Sequence, residues 1–394
     1  MRINRLFCLL LIAGVTAVPA VHADAPFIDP QDDEQHFGVP EEILFWTPEQ
    51  KVAGFRNSDR LFWTRTIEAG GSPLALPEAL VDLDDVVVRA GDDSMTVEEL
   101  FRKQNVAGLL VIKDGAIVYE RYGLGNDRDT RWISFSVAKS VVSLLFGAAI
   151  EDGYIDDVDE RVTRYLPRLQ GSSYDQASIR DVLQMSSGVE WDENYADPES
   201  DISTADWETL KLLEQLGNKP LAAEPGTVFN YNTAETNLAG ILLRSAIGNN
   251  LSTYLSEKIW KPFGMESDAS WNLSEPGGGE FGGCCINATL RDYGRLGLFA
   301  LANGILSDGT EILPPGWMRE STTPSNSYEG YGYFWWLGDE NTFGASGIFG
   351  QGIRIDRAAN VVIAIHSARD EASNGEDWTW TLALYNALTD AVSD

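Results

Sequence analysis

The chain has 394 residues, and its 60 acidic residues against 29 Lys and Arg give a formal net charge of −31. Hydrophobic residues make up 44% of the chain, enough for a substantial core, which excludes a wholly disordered protein. The acidic balance argues against nucleic-acid binding, which needs a basic surface, and against binding to an anionic membrane. We interpret the many carboxylates as a solvated surface.

The first 23 residues have the pattern of a secretory signal peptide. Arg2 and Arg5 precede an apolar run from Leu6 to Val18, and Ala23 ends a small-residue cleavage site. The run is shorter than the ~20 residues that span a bilayer. We therefore predict cleavage after Ala23, no membrane anchor, and a mature protein that is periplasmic or secreted.

Residues 24–95 form an N-terminal extension with frequent turn signals and no long periodic segment. The aromatic pairs Phe45-Trp46 and Phe62-Trp63 indicate that this extension packs on the main body. Residues 96–394 are assigned to one main domain.

The main domain begins with a predicted β-hairpin, in which Val106–Ile112 and Ala116–Tyr122 flank the turn Lys113-Asp114-Gly115. Later segments alternate between helix and strand signals. Helices are predicted over Ser136–Asp152, Ser178–Met185, Thr233–Ile247 and Trp378–Val392, and strands over Tyr331–Leu337, Gly350–Asp356 and Val361–His366. This order predicts an α+β fold, with one antiparallel sheet built from both ends of the domain, flanking helices and a mostly helical inserted lobe.

Cysteine and histidine offer little for catalysis. The chain has 3 Cys, and the adjacent pair Cys284 and Cys285 is expected to be two buried thiols rather than a disulfide framework. His366 lies in an apolar run and is expected in the core. No HExxH helix, zinc-type spacing, GxSxG elbow or phosphate loop occurs, so neither a metal nor a cofactor is expected.

Ser136-Val137-Ala138-Lys139 is the one S-x-x-K sequence in the chain, and it opens a predicted helix. The helix dipole favours negative charge near its first residues, and Lys139 lies on the same face as Ser136. Burial would lower the pKa of Lys139 until its amine could accept the serine proton. The alternative is a capped helix with a surface lysine, but the helix is apolar around most of its circumference, which favours a buried, functional Lys139.

The segment from Ser134 to Pro167 resembles the nucleophile segment of serine β-lactamase-like hydrolases. This family includes class C β-lactamases, DD-peptidases, family VIII esterases and 6-aminohexanoate-dimer hydrolases. Four later segments keep the resemblance in order, and correspond to the family's LLxMTSG, Y-x-N, RDxxRfG and K-T-G elements: Ile179–Gly188, Phe229–Thr233, Ala288–Gly297 and Ala345–Gly347. The match covers about residues 100–390 and implies a β-lactamase/DD-peptidase-like fold.

The resemblance implies a catalytic group of Ser136, Lys139 and Tyr231. Ser136 would attack a carbonyl group while Lys139 and Tyr231 share its proton. The backbone N–H groups of Ser136 and Ile348 would form the oxyanion hole. Ser200-Asp201-Ile202 is an alternative to Tyr231 as the second catalytic element, after the S-x-x-K sequence. Its third residue, isoleucine, does not match the family's motif, so Tyr231 is preferred.

The resemblance also implies substrate contacts from Thr233, Ser346 and Gly347. Tyr195 is a further candidate, because 6-aminohexanoate-dimer hydrolases place a second tyrosine after the SG stretch. Thr233 stands where the family has the Y-x-N asparagine, and Ala345 where it has a cation. Both departures weaken a β-lactamase interpretation and favour esters or linear amides.

The sequence therefore predicts an exported serine hydrolase that cleaves a small ester or linear amide through an acyl-enzyme on Ser136. The alternatives are a β-lactamase or DD-peptidase acting on cell-wall-type substrates, and a non-catalytic binding protein on a penicillin-recognition fold. The expected partner is a small-molecule substrate, and nothing in the sequence indicates an oligomeric state.

Overall fold

The structure is a computed structural model that describes residues 25 and 27–393. The predicted signal peptide, residues 1–23, lies outside the described residues. None of the helices in the described part combines the length and the apolar character that a membrane crossing needs.

The described residues form twelve strands in three antiparallel sheets. The strands are β1 (Thr64–Ile67), β2 (Val87–Ala90), β3 (Asp93–Thr96), β4 (Val106–Lys113), β5 (Ala116–Tyr122), β6 (Arg131–Ile133), β7 (Ala269–Asn272), β8 (Ile286–Thr289), β9 (Trp336–Leu337), β10 (Thr342–Gly347), β11 (Gln351–Asp356) and β12 (Val361–Ser367).

Helices precede, separate and follow these strands. The α-helices are α1 (Pro48–Arg56), α2 (Ser58–Leu61), α3 (Val97–Lys103), α4 (Val137–Glu151), α5 (Val162–Tyr165), α6 (Ile179–Leu183), α7 (Asp201–Thr204), α8 (Thr209–Gly217), α9 (Thr233–Ile247), α10 (Leu251–Leu255), α11 (Lys261–Phe263), α12 (Leu290–Leu301), α13 (Trp317–Ser321) and α14 (Gly375–Ser393). Short 3-10 helices cover Pro30–His36, Pro40–Phe45, Pro167–Leu169 and Ile348–Gly350, and a π-helical turn covers Ser256–Trp260.

The central sheet has six strands in the order β5-β4-β12-β11-β10-β9. Its first two strands are the predicted hairpin, and the other four come from the C-terminal part of the chain. The predicted α+β fold, with a sheet built from both ends of the domain, is therefore confirmed.

Alternate residues of β4 cover the two faces of this sheet, as the two-residue period of a strand requires. Leu109 and Val111 belong to a core with α14, whereas Leu110 and Ile112 belong to the larger core with α4 and α12. The sheet is thus buried on both faces, and α4 lies inside the larger core.

A second sheet, in the order β1-β7-β8-β6, was not predicted from the sequence. Its strands have at most four residues, too few to show a periodic pattern. Strand β6 pairs with β8 through Trp132 and Ala288, and the chain then passes directly into α4. This sheet therefore sets the position at which α4 begins.

The strand prediction over Tyr331–Leu337 was wrong for most of its length. Only Trp336–Leu337 forms a strand. Phe334 has a positive φ of 57°, and its N–H group donates to the carbonyl of Leu183, so the backbone leaves the extended conformation there.

The N-terminal extension packs beside the start of α4. Trp46 and Phe55 are buried in a cluster that also holds Trp132, Phe135 and Phe349. The contacts between these aromatic rings include Phe55 with Phe135, whose centroids are 5.0 Å apart. The extension therefore supports the turn that carries Ser136.

Candidate active site

Ser136 lies at the turn between β6 and α4, as the N-cap residue of α4. The preceding residue, Phe135, has a φ of 43°, in the left-handed region that disfavours a bulky side chain. Its ring packs on Phe55 and Phe349, which holds this conformation in place. The turn leaves the Ser136 side chain beside a cavity although the residue is only 9% exposed.

Lys139 lies one turn further along α4 and is 1% exposed. Its Nζ atom is 3.1 Å from Ser136 Oγ, 2.9 Å from Thr233 Oγ1 and 2.8 Å from the carbonyl oxygen of Gly283. Burial lowers the pKa of Lys139 to about 7, because the interior disfavours the charged form. A substantial fraction of Lys139 is therefore neutral near pH 7 and able to accept the proton of Ser136.

Tyr231 comes just before α9, whose N-cap is Asn232. Its ring stacks on Trp336 at 5.7 Å between centroids, and the Nζ atom of Lys139 lies 5.2 Å from the Tyr231 centroid. Burial raises the pKa of Tyr231 above its ordinary value, and a hydrogen bond with Ser136 acts in the opposite direction. Tyr231 is therefore a neutral phenol in contact with the nucleophile.

Glu193 accepts hydrogen bonds from several groups of the site, a role that sequence reasoning missed. Its carboxylate accepts from Trp191 Nε1, from Tyr195 OH at 2.6 Å, and from the hydroxyl and N–H of Thr233, the latter at 3.0 Å. The charge of Glu193 also opposes the lowering of the Lys139 pKa. The sequence could have indicated this role, since Glu193 lies two residues before the candidate Tyr195.

The end of β10 runs directly against the turn of the nucleophile. A Cβ atom on Gly347 would lie 2.5 Å from the carbonyl oxygen of Ser134 and 3.1 Å from the nitrogen of Ser136, so only glycine fits. The next residue, Ile348, lines the same cavity as Ser136. Their backbone N–H groups are thus available for an oxyanion on a carbonyl attacked by Ser136.

Ser346 is the one predicted site residue that lines a different cavity. It borders a space of about 340 Å³ together with Arg354 and Trp336. Ala345, its neighbour on β10, is buried in the larger core. Of the other predicted residues, four line the cavity beside Ser136, namely Ser136 itself, Tyr195, Thr233 and Ile348. Lys139, Tyr231 and Gly347 lie against the Ser136 turn without lining this cavity.

The competing tripeptide Ser200-Asp201-Ile202 does not reach Lys139 through its polar groups. Ser200 Oγ donates to the carbonyl of Asp197 at 2.8 Å, and Asp201 pairs with Lys219 at 2.5 Å. The structure favours Tyr231, which contacts Ser136, as the second element.

Cys284 and Cys285 follow Gly283, and the sulfur atoms of the two side chains lie against each other. The backbone bends at this pair, where Cys285 has a positive φ of 142°. The preceding Gly283 accepts the hydrogen bond of Lys139 and donates to Asn237 Oδ1 at 3.1 Å. This segment therefore helps to place Lys139, through a backbone carbonyl that no side-chain motif could indicate.

His366 is buried away from this cluster, as expected of a core residue. It stacks on Trp132 at 6.2 Å and meets Tyr293 edge-on at 4.9 Å between ring centroids. Burial lowers the pKa of His366 to about 3. The contacts of Ser136 thus come from lysine and tyrosine rather than from this histidine.

Comparison with known proteins identifies the family. Residues 94–386 match the family model described as Beta-lactamase. This chain belongs to that family. The resemblance inferred from the motifs is thereby confirmed, and the protein is a hydrolase of the β-lactamase superfamily.

Individual relatives refine this assignment. The chain is 28% identical over 325 residues to the 6-aminohexanoate-dimer hydrolase of Paenarthrobacter ureafaciens, which covers 76% of this chain and 81% of that protein. A Bacillus anthracis structure named "Putative 6-aminohexanoate-dimer hydrolase" aligns with a TM-score of 0.75 and 22% identity, over 87% of this chain and 94% of the other. A family VIII carboxylesterase aligns with a TM-score of 0.57 and 19% identity, over 74% and 96% of the respective chains. The two structural matches show that the fold is shared.

Proposed function

We propose that this protein is a serine hydrolase that cleaves small carboxylic esters or linear amides through an acyl-enzyme on Ser136. The observation that carries the proposal is the buried Lys139 amine, which lies 3.1 Å from Ser136 Oγ and has a pKa of about 7. A buried lysine without a carboxylate partner is costly for folding, and a role as a general base accounts for its position.

The first step is acylation of the enzyme. Ser136 Oγ attacks the carbonyl carbon of the substrate as its proton passes to the neutral Lys139 amine. The N–H groups of Ser136 and Ile348 stabilise the oxyanion that forms, and one such donor is worth roughly 3 kcal/mol. The bond to the leaving alcohol or amine then breaks, and the proton reaches the leaving atom through the Tyr231 hydroxyl.

The second step is deacylation. Water attacks the Ser136 ester, and its proton passes to Lys139 and Tyr231 as a new oxyanion forms. Collapse of this intermediate releases the carboxylic acid and returns the proton to Ser136 Oγ. Atoms and charge balance with water as the co-reactant, so neither step needs a metal or a cofactor.

The substrate class rests on two supports. The relative from Paenarthrobacter ureafaciens is named as a hydrolase of the 6-aminohexanoate dimer. Ala345 stands where the resemblance places the cation of the K-T-G element, and it provides no positive charge for the carboxylate of a cell-wall-type substrate. Export is part of the proposal, and it rests on the signal-peptide pattern of residues 1–23.

A hydrolysis panel tests this function. The purified mature protein is assayed with p-nitrophenyl acetate and butyrate, with a set of linear amides, and with nitrocefin. We expect turnover of the esters or the linear amides, and loss of this turnover in Ser136→Ala. A Ser143→Ala variant is the matched control, because the Ser143 hydroxyl lies in the same helix, buried and without a hydrogen-bond partner. Turnover that survives in Ser136→Ala would refute the mechanism, and an inactive wild type would favour a binding protein.

A further inference from the structure

A cavity of about 530 Å³ lies beside Ser136, between the N-terminal extension and the main domain. The extension contributes six apolar side chains to its wall: Ile43, Leu44, Phe45, Leu61, Phe62 and Trp63. The main domain adds Trp207, Phe281 and the side chains of Cys284 and Cys285. The volume and the lining are those of a binding site for a small molecule with a large apolar part.

Two of these aromatic residues are unusually exposed for their size. Phe45 is 53% and Trp63 is 63% exposed, and both line the cavity beside Ser136. Exposed aromatic surface in the wall of one cavity is costly in water unless a ligand covers it. The candidate nucleophile in the same wall identifies that ligand as the substrate.

The position of Tyr231 indicates which half of the substrate enters this cavity. Within the described part of the chain, Tyr231 does not line the cavity, and the Trp336 ring on which it stacks borders the other, smaller cavity. The leaving group must lie on the side of the residue that donates its proton. The acyl group therefore points into the cavity bounded by the N-terminal extension.

The charges around the cavity restrict the acyl group further. Glu41, Glu208 and Glu275 line it, and among the described lining residues there is neither lysine nor arginine. Glu208 is paired with Lys211 at 2.7 Å, so Glu41 and Glu275 provide most of the negative charge of this wall. These charges would repel a carboxylate at the far end of the acyl chain, whereas an apolar chain without a terminal carboxylate suits the wall.

We propose that the N-terminal extension forms the acyl-chain subsite of this enzyme, and that Phe45 and Trp63 determine its selectivity for medium-length, apolar acyl chains that do not end in a carboxylate. This inference rests on the proposed function, because it assumes that Ser136 is acylated. It assigns to residues 40–63 a part in substrate selection beyond their support of the fold.

A chain-length series of p-nitrophenyl esters tests the subsite. We expect kcat/KM to rise from acetate to hexanoate by up to about fourfold per methylene, the factor that full burial of one CH₂ provides. Mono-p-nitrophenyl adipate, which ends in a carboxylate, should react more slowly than the hexanoate. The proposal would be overturned if kcat/KM did not change from acetate to hexanoate, or if the adipate monoester reacted faster than the hexanoate.

Variants locate the effect in the extension. Phe45→Ala and Trp63→Ala should each reduce the hexanoate-to-acetate ratio of kcat/KM by about fivefold, because the longer acyl chain loses more apolar contact than acetate does. Phe27→Ala is the control, since Phe27 lies in the same extension, is 68% exposed and is not part of the cavity wall. A hexanoate-to-acetate ratio of kcat/KM that stays unchanged in both variants would contradict the assignment.

A binding measurement separates this proposal from the proposed function. Titration calorimetry with hexanamide and acetamide does not require turnover. Tighter binding of hexanamide, weakened by Phe45→Ala and retained in Ser136→Ala, would support the subsite even if no ester were hydrolysed. Equal affinity for the two amides in an active enzyme would refute the subsite and leave the proposed function standing.

Discussion

Lys139 and Thr233 join the helix of the nucleophile to α9 through a hydrogen bond of 2.9 Å between Nζ and Oγ1. The Thr233 hydroxyl in turn donates to the carboxylate of Glu193, which also accepts from Tyr195. A threonine thus stands where relatives place an asparagine, and it connects the buried amine to a carboxylate without direct contact between the two charges. Two predictions test this arrangement.

Thr233→Val should lower kcat/KM for p-nitrophenyl butyrate about 10-fold to 100-fold, because it removes a hydrogen bond to a charged group worth roughly 1.5–3 kcal/mol. Thr233→Ser keeps the hydroxyl and should retain most of the activity. Steady-state kinetics of the two variants check this. Equal activity of the valine and serine variants would show that the hydroxyl has no part in placing Lys139.

Glu193→Gln should move the acid limb of the pH profile of kcat/KM to lower pH. Catalysis needs neutral Lys139, so in the wild type kcat/KM should rise with pH through about 7. The charge of Glu193 raises the pKa of Lys139, so its removal lowers that pKa further and makes the neutral amine available at lower pH.

Rates measured between pH 5 and pH 9 test this shift. Glu208→Gln is the matched control, because Glu208 lines the same cavity but is exposed and paired with Lys211 at 2.7 Å. A limb that stays in place or moves to higher pH in Glu193→Gln would show that its midpoint does not belong to Lys139.

Much of this site could be predicted from the sequence, because its chemistry depends on side chains in recognisable local patterns. Ser136 and Lys139 are three residues apart at a helix start, and Tyr231 precedes a helix with clear periodicity. The Gly283 carbonyl was not predictable, since a backbone oxygen leaves no trace in the residue type. The second sheet was missed for a related reason, as strands of at most four residues show no period.

His366→Gln should leave kcat/KM within about threefold of the wild type, since His366 packs on aromatic rings away from Ser136. The substitution should also make the stability of the folded protein less sensitive to acid. The pKa of His366 is about 3 in the folded protein against 6.5 for an ordinary histidine, so the unfolded chain binds more protons between these values. Its contribution to stability is therefore lost as the pH falls through this range.

Urea unfolding at pH 7 and pH 5 checks this effect. The midpoint should fall less between the two pH values in His366→Gln than in the wild type. A variant that folds but is inactive would instead implicate His366 in catalysis.

Nitrocefin should be a poor substrate compared with p-nitrophenyl butyrate. Loss of one charge-assisted contact to the substrate carboxylate costs about one to two decades in kcat/KM. Ala345 cannot supply that contact, and the nearby Arg354 lies in the cavity that Ser346 lines. A higher kcat/KM for nitrocefin than for p-nitrophenyl butyrate would contradict the prediction. If Arg354→Gln then lost the nitrocefin activity, Arg354 would be identified as the cation.

Covalent labelling tests the role of Ser136 most directly. A p-nitrophenyl alkylphosphonate phosphonylates an activated serine and releases p-nitrophenol, and tandem mass spectrometry locates the adduct. The tryptic peptide from Trp132 to Lys139 holds both Ser134 and Ser136. We predict a single adduct on Ser136, with none in Ser136→Ala, whereas an adduct on Ser134 or elsewhere, or no adduct in an active enzyme, would contradict the mechanism.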